Sequence, residues 1–589
     1  MMTTKMSKTE NMATDSQTAK TETARRRLAM DHEHPRYKWV VLSNTTLGVL
    51  MASINASILM ISLPAVFRGI DLDPLAPGNV GYLLWILMGY LVVTAVLVVP
   101  FGRLGDMFGR VRIYNIGFVV FTMAAIALSF DPFHLGGGAV WLIAWRVVQG
   151  IGGAMMMASS TAILTDAFPA NQRGMALGVN SVAAVAGSFL GLLIGGVLSQ
   201  WDWKAVFWVG VPIGVLGTVW SVVSLRELGT RSPGKLDWAG TVTFGLGLTV
   251  LLIGITFGIQ PYGTHSTGWT SPSVLGLIGA GLALLVLFCW IEMHVAAPMV
   301  DLRLFASPAF GMGNLAGLLS SVGRGGLQFM LIIWLQGIWL PLHGYSFEST
   351  PLWAGIYLLP ATFGFLVSAP AAGALADRFG ARKLTVAGML IMAATFLALL
   401  KIPVDFHYWQ FALLVFLNGV GGGIFTAPNM ASIMSAVPAH QRGAASGVRS
   451  TFFNAGNSLS IGIFFSLMII GLANTLPSAL NIGLVQQGVS PAVAQQVAAL
   501  PPVGSLFAAF LGYNPIVSLL GSSNALNQPG VNAAELTGPS FFPHLISGPF
   551  HSGLIVVFTA AAIMMVLGAV ASMFSRGDYA TEVDADNLA

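Results

Sequence analysis

The chain has 589 residues, of which 55% are hydrophobic and only 8% charged, with a net charge of +4 and a mean hydropathy of +0.77; an ordinary soluble chain carries about 25% charged residues. A soluble protein of this length would divide into several domains, each needing a charged surface, so the composition excludes a soluble multidomain enzyme and leaves a polytopic membrane protein. Four excess positive charges over this length form no basic patch, so no nucleic-acid partner is expected. The single cysteine, Cys289, excludes an intramolecular disulfide and any cysteine-based metal or iron–sulfur centre, and no cofactor is expected.

In chain order, residues 1–37 are polar, carry Arg25, Arg26 and Arg27 with no apolar run directly behind, and read as a disordered tail and not a signal peptide. Apolar stretches long enough to cross a bilayer, which takes about 20 residues, follow at 38–66, 79–101, 112–130, 139–165, 174–199, 204–225, 237–259, 273–293, 309–333, 348–373, 382–401, 408–433, 443–472 and 550–575. The segment 473–549 has no Lys or Arg, and its apolar run from Pro501 to Leu520 is interrupted by Gly504, Gly512 and Pro515. That run is expected not to span, because a fifteenth crossing would put Arg576 outside. With the N-terminus in the cytoplasm, 21 of the 27 Lys and Arg side chains fall on the cytoplasmic side, as the positive-inside rule asks. Both tails, 1–37 and 576–589, are then cytoplasmic.

The chain repeats itself. Pro169-Ala170-Asn171-Gln172-Arg173-Gly174 returns as Pro438-Ala439-His440-Gln441-Arg442-Gly443, 269 residues later, and Gly102–Arg110 returns as Gly373–Ala381, 271 later. Such an offset holds eight stretches. Six therefore belong to the repeat and two are inserted, giving an N-terminal bundle (38–226), a linker with the inserted pair (227–308) and a C-terminal bundle (309–575). The expected fold is all-α: two six-helix bundles in parallel repeat plus two helices. Parallel repeats about an axis along the membrane normal are a transporter architecture with the substrate between the halves.

These loops carry a family resemblance. Gly102 to Arg112, with its second copy at Gly373, resembles the signature loop of the major facilitator superfamily. Leu142, Arg146, Gln149, Gly150 and Gly152-Gly153 look like that superfamily's helix-4 motif, and Gly187, Gly191 and Gly195-Gly196 resemble the helix-5 motif of its antiporters. Fourteen stretches together with Leu236-Asp237-Trp238 and Val211-Pro212-Ile213-Gly214 are similar to the fourteen-helix drug:proton antiporter branch. Two positions depart from it: Asn55 stands where helix 1 of that branch carries an Asp, and Gly191 is followed by Leu192 in place of Pro.

The resemblance implies a non-enzymatic secondary transporter working by alternating access, with proton-coupled efflux of drugs or other lipophilic compounds. It also implies a multi-pass protein of the cell inner membrane, expected as a monomer, with small lipophilic substrates, protons and the bilayer as partners. Gly102, Asp106, Gly109, Arg110, Asp377, Arg378 and Gly380 form its gating loops, where a carboxylate can accept from helix N-terminal amides and pair with Arg. The glycines of the helix-5 motif permit close helix packing. All 23 carboxylates fall outside the bilayer centre. The intramembrane polar groups are Arg146 with Gln149, Arg324 and Gln328, and Asn55, which the repeat offset aligns with Arg324; a pathway through these is expected. An interior with Arg and no acid suits neutral or anionic substrates, so an exporter of lipids or anionic lipophilic metabolites is the second reading. Arg449, near a helix end, reads as a headgroup contact.

Overall fold

A computed structural model describes residues 34–575 apart from 74–75, 77–78, 230–236, 261, 263–266, 296–297, 299–300, 438–441, 500 and 523–524. Residues 1–33, the second expected tail and most of the second Pro-Ala-x-Gln-Arg-Gly copy lie outside the described residues, while Tyr37, expected in the first tail, is the buried first residue of the first helix. Among the described residues, fourteen helices are long and apolar enough to cross a membrane. They are labelled here α1 (Tyr37–Gly69), α2 (Asn79–Phe108), α3 (Arg110–Ser129), α4 (Leu135–Ala167), α5 (Ala170–Leu198), α6 (Ala205–Trp208 continued by Gly210–Ser224), α7 (Trp238–Gly258) and α8 (Pro272–His294). The series continues with α9 (Pro308–Trp334, a π-helical turn Leu335–Trp339, then Leu340–Leu342), α10 (Thr350–Tyr357 continued by Leu359–Phe379), α11 (Ala381–Leu399), α12 (Tyr408–Ser435), α13 (Arg442–Ala473) and α14 (Phe541–Phe574). Prolines inside α1, α2, α12 and α14 are tolerated because neighbouring helices and side chains satisfy the freed backbone groups.

The packing repeats after eight helices. α1 lies against α5, α2 against α4, and α3 against α4 and α6; in the same way α9 lies against α13, α10 against α12, and α11 against α12 and α14. The inserted α7 and α8 pack on each other, and α7 also touches α2 and α13. The Asp237 side chain caps α7, its Oδ1 accepting from Gly240 N at 2.8 Å, which satisfies one of the unpaired amides at a helix start.

The stripe Gly187, Gly191, Gly195 shows how closely the bundle is built. A Cβ on these residues would stand 2.8 Å from Leu50 O, 2.5 Å from Ile54 O and 2.8 Å from Ile58 O respectively. Four-residue steps on α5 thus ride on four-residue steps of α1, the small-residue contact of membrane helices. Gly196 faces elsewhere, with Leu352 Cα of α10 at 2.6 Å from where its Cβ would be.

The start of the last apolar stretch needs revision. α14 starts at Phe541, nine residues before the apolar stretch read from sequence, because Pro549 lies inside a continuous helix. The segment 473–549, whose apolar run was expected not to span, folds into a set of short helices, Leu476–Gln486, Pro491–Ala498, Pro502–Phe510, Pro515–Ser522 and Ala533–Leu536. Pro491–Ala498 and Pro502–Phe510 meet at 86°, and nine residues are too few to span. Every residue from Val503 to Phe510 is buried: Phe507 stacks on Phe465 of α13 at 4.6 Å, and Ala509 lies 3.3 Å from a Cβ placed on Gly337 in the π turn of α9. The widened turn makes room for this helix.

Candidate functional site: a charged clamp and a polar interior

Call the end of the bundle where α1 begins the basic face. Here α2 stops at Phe108, the chain turns through Gly109 at φ +109°, and α3 starts at Arg110. Only glycine adopts that backbone without strain. The turn aims the Arg110 guanidinium at two carboxylates: Nε donates to Asp106 Oδ1 at 2.8 Å, and Nη1 lies 2.6 and 2.7 Å from the two Asp166 oxygens at the end of α4. The start of α3 is capped by Glu227, whose carboxylate accepts from Arg110 N at 2.8 Å and Val111 N at 3.1 Å, a favourable place for negative charge.

Two expectations change accordingly. Asp106 is the partner of Arg110, but Glu227 takes the amides that Asp106 was expected to take. The clamp joins α2, α3 and α4 of the N-terminal bundle to Glu227 at the start of the linker. Neither Asp166 nor Glu227 stood out in the sequence, since they lie 56 and 117 residues from Arg110. The second copy keeps the turn, with Gly380 at φ +84°, but Ala381 replaces the arginine and Arg378 rests on the Phe379 ring at 5.6 Å. The Asp377 side chain lies outside the described residues. A Cβ on Gly102 would meet only open space, so no close approach explains that glycine.

Midway along α4, Arg146 is 1% exposed, although an arginine at a helix centre costs about 2.5–3.5 kcal/mol on insertion scales. Its cost is offset by partners from three helices. Nη1 donates to Asn55 Oδ1 of α1 and, at 2.9 Å, to Gln149 Oε1; Nε points to Ile86 O of α2 at 3.4 Å. The guanidinium also lies over the Tyr90 ring at 4.7 Å, and the Tyr90 hydroxyl donates to Ala52 O at 3.2 Å. Asn55, Arg146 and Gln149 therefore come together, and Asn55 also lines a small cleft between α1 and α6.

In the C-terminal bundle Arg324 lines a narrow, partly open cavity of about 30 Å³ between α9, α12 and α13. Its guanidinium sits 4.8 Å above the Phe365 ring of α10. Arg449 of α13, read from sequence as a headgroup contact, lines the same cavity, and its Nε is buried without a hydrogen-bond partner. Gln328, one turn beyond Arg324, is half-buried and is not among the cavity's lining residues.

Comparison with known proteins decides the class. The model of the Major Facilitator Superfamily matches residues 45–461. The chain belongs to this superfamily. This facilitator is 27% identical over 545 residues to the tetracenomycin C resistance and export protein of Streptomyces glaucescens, covering 91% of each chain. It is 30% identical over 437 residues to the methyl viologen resistance protein SmvA of Salmonella typhimurium, covering 73% of this chain and 82% of SmvA. The multidrug transporter protein MdtP of Bacillus subtilis is 24% identical over 541 residues, covering 91% of this chain and 93% of MdtP. A crystal structure of a bacterial homologue of the human lysosomal transporter Spinster shares the fold, with TM-score 0.53 at 15% identity, over 92% of this chain and 99% of that one. The facilitator is thus a polytopic membrane transporter of small molecules.

At the end opposite the basic face, between α3 and α4, burial pushes the Asp131 carboxyl above its ordinary range, against the opposing pull of the Phe133 amide and Lys204. Oδ1 accepts from Phe133 N at 3.0 Å, while Oδ2 is buried without a partner. An acid with a raised folded-state pKa binds protons more tightly when folded, so it costs stability as pH rises through and above the unfolded value. Asp131→Asn should therefore raise the melting temperature by about 2–4 °C near neutral pH, with the gap closing toward about pH 4. A thermal-shift series against pH checks this; equal gaps at every pH would contradict it.

Proposed function

We propose that this facilitator is a secondary active transporter that exports lipophilic compounds by alternating access, driven by proton entry. The observation that carries the reading is the match to the Major Facilitator Superfamily over residues 45–461, on two bundles that pack against each other at both ends. Opposite the basic face the halves meet closely: Gly196 on Leu352 and Gly355 with its Cβ position 3.3 Å from Leu192 O bring backbones together, and the Gln336 side chain donates from Nε2 to Ile61 O at 3.3 Å. Toward the basic face α2 packs on α13, with Val99 buried beside Ala445 and Val448, and Ser181 Oγ meets Met430 Sδ at 3.8 Å; the C-terminal cavity lies on that side. The positive-inside rule makes the basic face cytoplasmic, so the cavity takes its substrate from the cytoplasm or inner leaflet. Names of the relatives, which speak of resistance and export, support outward transport across the cell membrane.

With Asn55 facing Arg146, the proton is not carried at that pair. The conformational change is the rocking of the two bundles, with the Arg110 clamp holding the N-terminal bundle rigid. Everted membrane vesicles containing the protein, energised to be acidic inside, should release protons when a lipophilic substrate is added, read as dequenching of a pH-gradient dye. A panel of neutral, anionic and cationic amphiphiles producing neither dequenching nor uptake would sink the transport reading. Uptake without dequenching would sink proton coupling alone.

A further inference from the structure

We propose that the cavity between α9, α12 and α13 is a binding site for amphiphilic anions, with Arg449 receiving the anionic head near the basic face and Arg324 holding it deeper in the bundle. The inference rests on the transport reading and names its substrate class: an apolar or aromatic body bearing a carboxylate, sulfonate, phosphate or enolate oxygen.

The two bundles treat their arginines differently. Arg146 has its donors occupied by Asn55, Gln149 and a carbonyl and its face covered by Tyr90, leaving little for a ligand. At the repeat offset of 269, Arg324 aligns with Asn55 and Arg449 with Asn180. Where the N-terminal bundle has two neutral amides, the C-terminal bundle has two cations, and both line one cavity. No Asp or Glu lines that cavity, and among the described residues neither arginine has an ion-pair partner. Arg324 has an aromatic face beneath it, and Arg449 leaves Nε buried and unmet.

The rest of the lining matches the same ligand. Thr426 Oγ1 and Ser321 Oγ are turned back on their own helices, donating to Gly422 O at 2.7 Å and Gly317 O at 2.9 Å. Asn429 Nδ2 donates to Gly313 O at 3.1 Å. The guanidinium donors are thus the strong recognition groups left open, in a low-dielectric place where charge-assisted hydrogen bonds to oxyanions gain most. Phe425, Phe452 and Phe453 supply apolar surface for the body of the ligand. Arg324 falls about 24 Å along α9 from Pro308 at 1.5 Å per residue, whereas Arg449 falls about 10 Å along α13 from Arg442, so an anion entering from the basic face meets Arg449 first. An organic cation finds no counter-charge here.

Two probes that share one ring framework isolate the charge: 8-anilinonaphthalene-1-sulfonate and neutral N-phenyl-1-naphthylamine, titrated by fluorescence against the full chain in lipid nanodiscs, with empty nanodiscs as blank. The sulfonate should bind saturably, and Arg324→Gln combined with Arg449→Gln should weaken it about tenfold or more while the neutral probe changes by less than about twofold. Arg324→Lys and Arg449→Lys, which keep the charge, should stay within about threefold. Sulfonate binding that is absent in the wild type, unchanged in the double Gln variant, or lost in parallel with the neutral probe overturns the proposal. Flux of both probes in everted vesicles is measured separately. Arginine-dependent binding without flux of either probe leaves the site standing and removes the transport reading; flux with arginine-independent binding does the reverse.

Discussion

Arg110→Ala should lower substrate transport in everted vesicles by about thirtyfold. Arg110 bridges Asp106 and Asp166 with side chains only 22%, 34% and 21% exposed, and removing one member of a buried pair leaves uncompensated charge worth about 3–5 kcal/mol. At roughly one-fifth exposure, screening reduces this to about 2 kcal/mol, the thirtyfold stated. Glu227 adds to the effect, because its carboxylate caps α3 next to the same guanidinium and would face Asp106 and Asp166 with the intervening cation gone. Asp166→Asn should reproduce most of the loss, since it removes the two-oxygen partner, and Asp106→Asn less, since Asp106 is the more exposed. The measurement is initial uptake rate normalised to inserted protein, with the Arg110→Ala and Asp166→Ala double-mutant cycle reporting the coupling. Wild-type transport by Asp166→Asn, or additive losses in the cycle, would remove the clamp from the mechanism.

Gly191→Leu should cost most of the folded protein. A Cβ there already meets Ser57 Oγ and stands 2.5 Å from Ile54 O, and a main-chain carbonyl can yield only if α1 and α5 separate. Overpacking of this kind costs about 1–3 kcal/mol even where neighbours relax. Here the whole stripe from Gly187 to Gly195 loses register with Leu50, Ile54 and Ile58 together, against a total stability of about 5–15 kcal/mol. The monodisperse peak in detergent size-exclusion chromatography should fall by about fivefold or more, with Gly191→Ala between the two. Gly178→Leu, on the same helix with nothing within 4 Å of its Cβ position, should leave the peak unchanged. Equal behaviour of the variants at Gly191 and Gly178 would show that the stripe is not a packing contact.

The candidate site divides into a part legible along the chain and a part that was not. Asp106, Gly109 and Arg110 sit within five residues in a repeated loop, so their motif could be read directly. Asp166 and Glu227 reach Arg110 only because α4 and the segment after α6 end at the same face, and no local spacing encodes that. The place of Arg449 in the cavity was not legible for a related reason: its position near a helix start suggests headgroups, and which side of α13 faces the cavity depends on how α13 lies against α9. Asn55 and Arg146 were separately visible as polar residues in apolar runs; their direct hydrogen bond was not.

The sequence by itself determined the membrane class, the number of crossings, the repeat with its inserted pair and the family, because a bilayer demands long uncharged runs and repeated loops keep their residues in order. Only the tertiary structure decided which arginine is satisfied and which is open, where the clamp finds its second carboxylate, and that the apolar run after Pro501 is a short buried helix on the widened turn of α9. Those outcomes depend on helix rotation and on contacts between segments far apart in the chain, and charge or hydropathy counted along a single chain carries no information about either.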